Sequence, residues 1–218
     1  MKIVKSLIVS GGDVNSAFLK KVAYAEEPQY IIGVDKGIEV LYKAGIVPTY
    51  IVGDFDSAQE SILGVYQNMQ HVQIEYLPAE KDMSDTEYAI GKAEQIGSTQ
   101  MLLLGATGSR IDHMFANIQC LMSPLSKGIR AEILDENNRI CLLAKGISIK
   151  KENLYGKYLS FFPLGGVVSG FTLQGVKYPL IKHQLRAENS LCVSNEILGD
   201  EIKIAFDEGI VVFIQAKD

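Results

Sequence analysis

The chain has 218 residues, enough for one large domain or two modest ones with buried cores. Its formal charge of −5 argues against nonspecific nucleic-acid binding, which needs a basic surface, and its 47% hydrophobic and 22% charged residues are those of an ordinary globular protein. No apolar run reaches the ~18–20 residues that a membrane-spanning helix needs, so we expect no membrane attachment.

The chain begins with an apolar segment at residues 3–9, which we predict to be the first buried strand. The segment ends at Ser10-Gly11-Gly12-Asp13, too early for the hydrophobic region and cleavage site of a signal peptide. That polar stretch is compatible with a nucleotide contact or with a plain tight turn. The cysteines, at positions 120, 141 and 192, lack the spacing of paired metal ligands, which indicates reduced structural thiols in a cytoplasmic protein.

Strand-like and helix-like segments alternate through the first half of the chain. The apolar spacing of Ile38, Leu41 and Tyr42 predicts a helix that ends at Gly45. Ser84-Asp85-Thr86-Glu87 matches a capping box and predicts the start of another helix, which Gly97 could close. Alternating β and α units imply a mainly parallel sheet covered by helices. The strand candidates lie near residues 3–9, 30–34, 49–53, 72–77 and 100–104.

The pattern changes after about residue 127 to closely spaced strands and turns, which indicates a second domain built as an antiparallel sandwich or barrel. We therefore predict an α/β domain over residues 1–127 and an all-β domain over residues 128–218. Asp207-Glu208-Gly209 predicts a hairpin between the last two strands. The strand candidates of this half are residues 131–134, 140–143, 147–149, 158–162, 202–206 and 210–214.

Aspartates follow several of the predicted parallel strands. Asp54 and Asp56 come directly after one apolar run, and Asp35 follows another. Asp112 follows a third run through a Gly-rich turn. The carboxyl ends of parallel strands meet at one sheet edge, where open α/β sheets bind ligands. Clustered carboxylates repel one another unless a cation is present, and Mg²⁺ prefers oxygen ligands shared with phosphates. The pattern predicts a metal-dependent enzyme acting on phosphates, although a turn followed by a helix cap would also explain Asp54 and Asp56.

A second acidic motif, Lys81-Asp82-Met83-Ser84-Asp85, opens the capped helix. Ser84 and Glu87 are explained by the capping box. Asp82 and Asp85 are candidate ligands of the same metal, although the helix dipole favours aspartate in a first turn in any case.

A Gly-rich loop, Gly105-Ala106-Thr107-Gly108-Ser109-Arg110-Ile111-Asp112-His113, joins a predicted strand to a helix. Its glycines allow close backbone approach to a phosphate, and Arg110 offers a bidentate fork. It is not a Walker A loop, which requires a different glycine spacing and a Lys-Ser/Thr end. The Arg-x-Asp-His end couples a phosphate clamp to a candidate metal ligand, Asp112, while His113 is interpreted as a structural hydrogen-bonding partner rather than a base.

Taken in order, these motifs resemble those of the thiamine pyrophosphokinase family. The resemblance runs from about residue 30 to the C-terminus and includes Gly170-Phe171-Thr172-Leu173-Gln174-Gly175-Val176-Lys177-Tyr178-Pro179-Leu180 and Ser194-Asn195-Glu196 in the second half. It implies a catalytic α/β domain, a β-sandwich that binds thiamine, and a homodimer with thiamine near the subunit interface.

The resemblance also implies roles for individual residues, and these fall into three groups. The residues implied to hold Mg²⁺ and position ATP are Asp54, Asp56, Asp82, Asp85 and Asp112. The residues implied to contact ATP in the Gly-rich loop are Gly105, Thr107, Gly108, Arg110 and His113. The residues implied to contact or surround the substrates elsewhere are Asp35, Ser84, Lys177, Tyr178, Ser194 and Asn195.

The chain departs from the family pattern at a few positions. Ser84 stands where the family often has Thr, and Lys36 and Ser109 each replace a common Gly. The chain has no Trp, whereas some relatives stack thiamine against one, so the aromatic residue that contacts thiamine here is left open.

The expected reaction is attack of the thiamine hydroxyl on the β-phosphorus of MgATP, giving thiamine diphosphate and AMP. Three alternatives stay open at this point. One is a pyrophosphokinase for another small alcohol. A second is a Mg²⁺-dependent phosphatase that forms an aspartyl-phosphate on the Asp54–Asp56 pair. The third is a noncatalytic sensor of thiamine or nucleotide.

Overall fold

The computed structural model describes residues 2–56, 58–108 and 110–218. The chain forms two compact units, which divide between Glu136 and Asn137. Within the described ranges, none of the helices combines the length and the apolar character needed to cross a membrane. The three cysteines are all free thiols, as the sequence predicted.

The first unit is built on a parallel sheet with the strand order β6-β5-β1-β2-β3-β4. Its strands are β1 (Lys5–Val9), β2 (Tyr30–Val34), β3 (Tyr50–Gly53), β4 (Gln73–Tyr76), β5 (Gln100–Leu104) and β6 (Arg130–Leu134). Its helices are α1 (Ser16–Glu26), α2 (Gly37–Ala44), α3 (Glu60–Gln67), α4 (Asp85–Gln95), α5 (Ile111–Cys120) and α6 (Met122–Ser126). The predicted alternation of strands and helices is confirmed.

Local sequence signals explain the ends of the helices. The hydroxyl oxygen of Ser84 accepts a hydrogen bond from the backbone N–H of Glu87 (3.1 Å), so the predicted N-cap of α4 is present. Gly45 closes α2 in the left-handed conformation at φ 65°, as predicted. The centre of the sheet is buried, with Leu7, Ile8 and Ile32 each no more than 1% exposed, as expected of a parallel sheet covered by helices. The edge strand β4 is more exposed.

The strand order places β1 near the middle of the sheet, and successive strands are added first on one side of β1 and then on the other. From β1 the chain adds β2, β3 and β4 on one side, and then β5 and β6 on the other. In open α/β sheets, ligands bind outside the carboxyl ends of the strands at such a switch point. The loops that follow β1, β2 and β5 are therefore the places where a site is expected.

The second unit is an antiparallel β-sandwich. One group of strands has the order β12-β9-β14-β7, and the other has the order β11-β10-β13-β8. The strands are β7 (Asn138–Leu143), β8 (Ile147–Lys150), β9 (Tyr158–Pro163), β10 (Val168–Gln174), β11 (Leu180–Leu185), β12 (Asn195–Glu196), β13 (Glu201–Ala205) and β14 (Val211–Ala216). Phe161, Phe171 and Phe213 lie in one core with inward-facing side chains from both groups.

The predicted hairpin between the last two strands is wrong. β13 pairs with β8 and β10, whereas β14 pairs with β7 and β9, so residues 206–210 cross from one layer of the sandwich to the other. The physical reason is burial, because Ile202 and Ile204 on β13 and Val211 and Phe213 on β14 fill the same core from opposite layers.

The division between the two units falls later than residue 127. β6 pairs in parallel with β5 and so extends the first sheet, whereas the sequence analysis placed its residues in the β domain. A short strand that follows a helix carries no local mark of the sheet that it joins.

Candidate active site

A pocket of about 670 Å³ lies at the carboxyl ends of β1, β2 and β5, at the switch point of the first sheet. Its walls come from the loop after β1, the loop after β2, the start of α4, and the Gly-rich loop with the first turns of α5. The lining residues are Ser10, Gly11, Gly12, Asp13, Val34, Asp35, Lys36, Ser84, Asp85, Thr86, Gly105, Ala106, Thr107, Gly108, Arg110, Asp112, His113, Met114, Ala116 and Asn117.

Two glycine-containing loops pair with each other to form one wall of this pocket. The backbone N–H of Ser10 donates to Leu104 O (2.8 Å), and that of Gly12 donates to Gly105 O (2.9 Å). A Cβ atom on Gly12 would overlap the carbonyl oxygens of Thr107 and Gly105. Only a glycine fits at this position without displacing the facing loop. The loop after β1 therefore packs against the Gly-rich loop as a wall of the pocket and is more than a plain tight turn.

Two hydrogen bonds made by buried polar side chains fix these loops in place. The amide of Asn117 on α5 donates to Ala106 O (2.8 Å). The hydroxyl groups of Ser10 and Thr86 lie 2.9 Å apart, which ties the loop after β1 to the start of α4. Sequence reasoning assigned no role to Asn117 or Thr86, because their partners are distant in sequence. The one available signal was a polar residue, Asn117, beside Ile118 on the buried face of a helix.

Three aspartates interact electrostatically at the carboxyl edge of the parallel sheet: Asp35, Asp54 and Asp85. Asp35 adopts the left-handed conformation at φ 45°, and its carboxyl group fills the space that a side chain on Gly53 would occupy. Burial, followed by the negative charges of Asp85 and Asp54, raises the pKa of Asp35 to about 7 against the opposing backbone hydrogen bond of Phe55. Of the aspartates predicted to gather at the strand ends, Asp35 and Asp54 therefore interact, and Asp85 from the second acidic motif joins them.

This acidic group has the chemistry of a magnesium site. Oδ1 of Asp35 is buried without a hydrogen-bond partner among the described residues, and carboxylate oxygens are the ligands that Mg²⁺ prefers. As the side chains stand, no three acidic, histidine or cysteine side chains in the described part of the chain are close enough to hold an ion together. These carboxylate oxygens are therefore of the type that Mg²⁺ prefers, and the side chains would have to move closer together to bind one ion.

The raised pKa of Asp35 predicts a pH-dependent stability of the metal-free protein. Between the ordinary value of 3.8 and about 7, the unfolded chain loses this proton while the folded chain keeps it, so the stability that the proton provides is lost as the pH rises. Asp35→Asn should flatten this part of the profile and raise the metal-free Tm by several degrees at pH 8, with a smaller gain at pH 5.

Thermal unfolding in EDTA across pH 5–8 measures this effect. Asparagine tolerates the left-handed backbone of position 35, so the substitution adds little strain. Parallel profiles for the wild type and the variant would show that Asp35 is ionised throughout this range.

The other acidic residues predicted near this edge, Asp56 and Asp82, are more exposed to solvent than Asp35, Asp54 and Asp85. Asp56 and Asp82 are exposed, and the backbone N–H of Asp56 donates to Oδ1 of Asp54 (3.2 Å). Ser84, predicted to contact substrate, lines the pocket and caps α4. Ser57 and Ser109, which belong to the predicted motifs, lie outside the described residues.

Arg110 and Asp112 pair with each other at the exposed rim. The guanidinium donates to the carboxylate through Nη2 (2.6 Å) and Nε (3.2 Å), and this hydrogen bonding lowers the pKa of Asp112 to about 2. Asp112 therefore sits with Arg110 rather than with Asp35, Asp54 and Asp85. Since a guanidinium has five N–H donors, three remain free for a phosphate. The other predicted ATP-contacting residues of the loop, Gly105, Thr107, Gly108 and His113, line the same pocket.

Lys36 and Asp13 also line the pocket, although sequence reasoning gave Lys36 no role and left the segment of Asp13 open between a nucleotide contact and a tight turn. Lys36 is exposed at the start of α2, and its Cβ faces Gly11 across the rim. Its ammonium has no ion-pair partner within the described part of the chain, so Lys36 is available to an anionic ligand.

In the second unit, Asn195 holds the backbone of Tyr178. Its Oδ1 accepts from the N–H of Tyr178 (3.0 Å) and from its own neighbour Glu196 (3.0 Å), and its Nδ2 donates to Tyr178 O (2.8 Å). Asn195 is only 5% exposed, whereas Tyr178 is 61% exposed. Asn195 is therefore a positioning residue, and it presents the Tyr178 ring to solvent.

The two other predicted substrate residues of this unit lie close by. Lys177 pairs with Glu196 (3.3 Å) and lies over the Tyr178 ring, 5.5 Å from its centroid. Ser194 is exposed in a left-handed conformation at φ 56°, and its N–H donates to the Ser160 hydroxyl (3.0 Å). Hydrogen bonds from Lys157 and Lys177 lower the pKa of Glu196. The structure thus brings Lys177, Tyr178 and Asn195 together.

Comparison with known proteins agrees with both units. Residues 22–133 match the family model "Thiamin pyrophosphokinase, catalytic domain", and residues 146–211 match "Thiamin pyrophosphokinase, vitamin B1 binding domain". The chain is 32% identical to the thiamine pyrophosphokinase of Bacillus subtilis (strain 168) over 216 residues, which are 97% of this chain and 98% of that protein.

Solved structures give the same result. The thiamine pyrophosphokinase crystal structure from Bacillus subtilis has a TM-score of 0.84 at 30% identity and covers 98% of this chain and 99% of that chain. The structure of the Geobacillus thermodenitrificans thiamin pyrophosphokinase has a TM-score of 0.83 at 30% identity and covers 99% of this chain and 98% of that chain. The chain therefore belongs to the thiamine pyrophosphokinase family.

Proposed function

We propose that this protein transfers the pyrophosphoryl group of MgATP to the hydroxyl of thiamine, giving thiamine diphosphate and AMP. The observation that carries this proposal is the pocket at the switch point of the parallel sheet. It joins a wall of paired glycine loops, suited to phosphates, to an acidic edge made by Asp35 and Asp85.

In the proposed reaction, the thiamine oxygen forms a bond to the β-phosphorus while the bond from that phosphorus to the oxygen shared with the α-phosphorus breaks. AMP leaves with that oxygen, and the hydroxyl proton passes to a base. Phosphoryl transfer needs little covalent help from protein, so positioning and charge neutralisation supply most of the acceleration. The chain's contribution is therefore a fixed pocket with charges of both signs.

Asp35, Asp54 and Asp85 are the residues that would hold Mg²⁺, since their carboxylates repel one another and Oδ1 of Asp35 is buried with no hydrogen-bond partner among the described residues. The exposed Asp56 and Asp82 would join them only by moving inward. When bound, Mg²⁺ offsets the charge of the phosphate oxygens and holds them for in-line displacement.

Two cations at the rim complete the proposed phosphate site. Arg110 keeps free N–H donors while it pairs with Asp112, and Lys36 has no ion-pair partner among the described residues. The backbone of the paired loops would contact the nucleotide between them, through Gly105, Thr107 and Gly108, with His113 beside them.

The second unit would supply the thiamine site, with the exposed Tyr178 as the aromatic residue that contacts thiamine in a chain that has no Trp. Lys177, Ser194 and Asn195 would surround it. The homodimer with thiamine near its interface, which the resemblance implies, and the cytoplasmic location indicated by the scattered cysteines stay predictions.

Product analysis tests the proposed function. The purified protein is incubated with MgATP, with and without thiamine, and the nucleotides and thiamine esters are separated by chromatography. We expect AMP and thiamine diphosphate in equal amounts, formed only when thiamine is present and abolished by EDTA. AMP formation with another alcohol but not with thiamine would change the substrate, and intact ATP under every condition would contradict the enzymatic proposal.

Asn195→Ala should raise the KM for thiamine by about tenfold, because the backbone hydrogen bonds that position Tyr178 are lost. It should also cost about 1 kcal/mol of unfolding free energy, since partly buried backbone groups lose their hydrogen-bond partners. The matched control is Asn189→Ala, which removes an exposed amide whose oxygen accepts a hydrogen bond from the nearby Leu191 N–H. A lowered Tm with an unchanged KM would limit Asn195 to a structural role.

A further inference from the structure

The Lys81 ammonium lies among the carboxylates that the proposed function assigns to Mg²⁺. Its Nζ is 3.1 Å from Oδ1 of Asp85 and 3.8 Å from Oδ2 of Asp54, and it donates a hydrogen bond to Pro78 O (3.0 Å). The three charged side chains are only 14–21% exposed. Lys81 is therefore an inward-facing cation rather than a solvated surface charge.

This placement differs from that of the other cations near the site. Arg110 pairs with Asp112 at the exposed rim, where both side chains are more than 60% exposed, and Lys36 is also exposed. Screening by water and salt makes exposed ion pairs weak, whereas partly buried pairs are screened much less. Of these three described cations, Lys81 therefore interacts most strongly with the carboxylates of the acidic edge.

We propose that Lys81 is a built-in competitor of the divalent cation: it neutralises Asp54 and Asp85 while no metal is bound, and it opposes metal binding by the same two carboxylates. The inference rests on the proposed function for the assignment of those carboxylates to Mg²⁺. Because one pair of carboxylates cannot fully neutralise two cations, occupation by the metal requires the ammonium to give up part of its pairing.

A purely structural role would have a different consequence. Lys81 precedes Asp85 by four residues, so the pair could simply fix the segment that leads into α4. In that case, removing the ammonium would loosen the segment and weaken metal binding or leave it unchanged. Competition predicts that removing the ammonium strengthens metal binding. A measurement of metal affinity therefore distinguishes the two roles.

The test is Mn²⁺ binding without nucleotide or thiamine, measured by the electron paramagnetic resonance signal of free Mn²⁺. Lys81→Met should tighten the Kd for Mn²⁺ by about tenfold or more, because it removes a positive charge a few ångströms from the site. Lys43→Met, an equal charge change at the exposed last turn of α2, is the matched control and should leave the Kd unchanged.

A second measurement guards against misfolding of the variant. The metal-free Tm of Lys81→Met should fall, since Asp54 and Asp85 are left unpaired, and saturating Mn²⁺ should raise it by more than it raises that of the wild type. Lys81→Arg keeps the charge and should bind Mn²⁺ no more tightly than the wild type. An unchanged or weaker Kd in Lys81→Met, or no Mn²⁺ binding to either protein at millimolar concentration, would overturn the proposal.

These outcomes are independent of the proposed reaction. A protein that makes no thiamine diphosphate would refute the function while the Mn²⁺ titration still reported on the acidic edge. A protein that makes thiamine diphosphate but binds Mn²⁺ more weakly after Lys81→Met would keep the function and refute the competition.

Discussion

Asp54→Asn is expected to lower kcat by about 100- to 1,000-fold while leaving the fold intact, because it removes one of the carboxylates proposed to hold the Mg²⁺ that offsets the charge of the transferring phosphates. Asp54 lies at the end of β3, beside Asp35 and Lys81. Steady-state rates of thiamine-dependent AMP formation at saturating substrates measure the effect. The isosteric amide keeps the acceptor oxygen that receives the Asp56 N–H.

The matched control is Glu60→Gln, which removes one exposed carboxylate from the first turn of α3 in the same unit. It should retain near-normal turnover. The metal-free Tm of Asp54→Asn should not fall far, because the substitution removes a negative charge beside Asp35 as well as a partner of Lys81. Near-normal turnover in Asp54→Asn would remove this residue from the catalytic site.

Gly12→Ala should both destabilise the protein and damage nucleotide binding. The added Cβ would overlap the carbonyl oxygens of Gly105 and Thr107, so the two loops would have to separate. Forcing an extra methyl group into such a closed contact costs about 1–3 kcal/mol. We expect a loss of this size in urea unfolding, together with a raised KM for ATP, because the same loops form the wall of the pocket.

Gly11→Ala provides the matched comparison at the adjacent position. There, the added Cβ would make only an ordinary 3.5 Å contact with the Cβ of Lys36. The loss of unfolding free energy should therefore stay within about 0.5 kcal/mol. Equal stabilities for the Gly12 and Gly11 variants would show that the loops after β1 and β5 are not locked together.

The sequence predicts the parallel sheet and its helices well, because their signals are local. Apolar runs of strand length identify β1 to β5, and the Ser84 capping box and Gly45 identify the ends of two helices. These features depend on residues a few positions apart, so periodicity and capping preferences are sufficient to find them.

Features that depend on contacts between residues distant in sequence cannot be predicted in this way. The turn at residues 207–209 has the composition of a hairpin, yet the core of the sandwich decides which layer each flanking strand joins. The residues of β6 show no sign that they extend a parallel sheet. In both cases, tertiary contacts rather than a local signal decide which strand is the partner.

The residues of the candidate site also divide into those that local signals identify and those that depend on distant contacts. Asp35, Asp54 and Asp85 are predictable because each follows a strand or opens a helix at one sheet edge. The loop after β1, Asn117 and Lys81 acquire their roles only through contacts made by the folded chain. The pairing of Arg110 with Asp112 is likewise a matter of side-chain geometry that motif order does not specify.

The most direct test of the central claim is the fate of the γ-phosphate of ATP. The protein is incubated with thiamine and MgATP labelled with ³²P at the γ-position, and the labelled products are identified. Attack at the β-phosphorus predicts labelled thiamine diphosphate and unlabelled AMP in equal amounts. Labelled thiamine monophosphate together with ADP would place the attack at the γ-phosphorus and contradict the proposed mechanism.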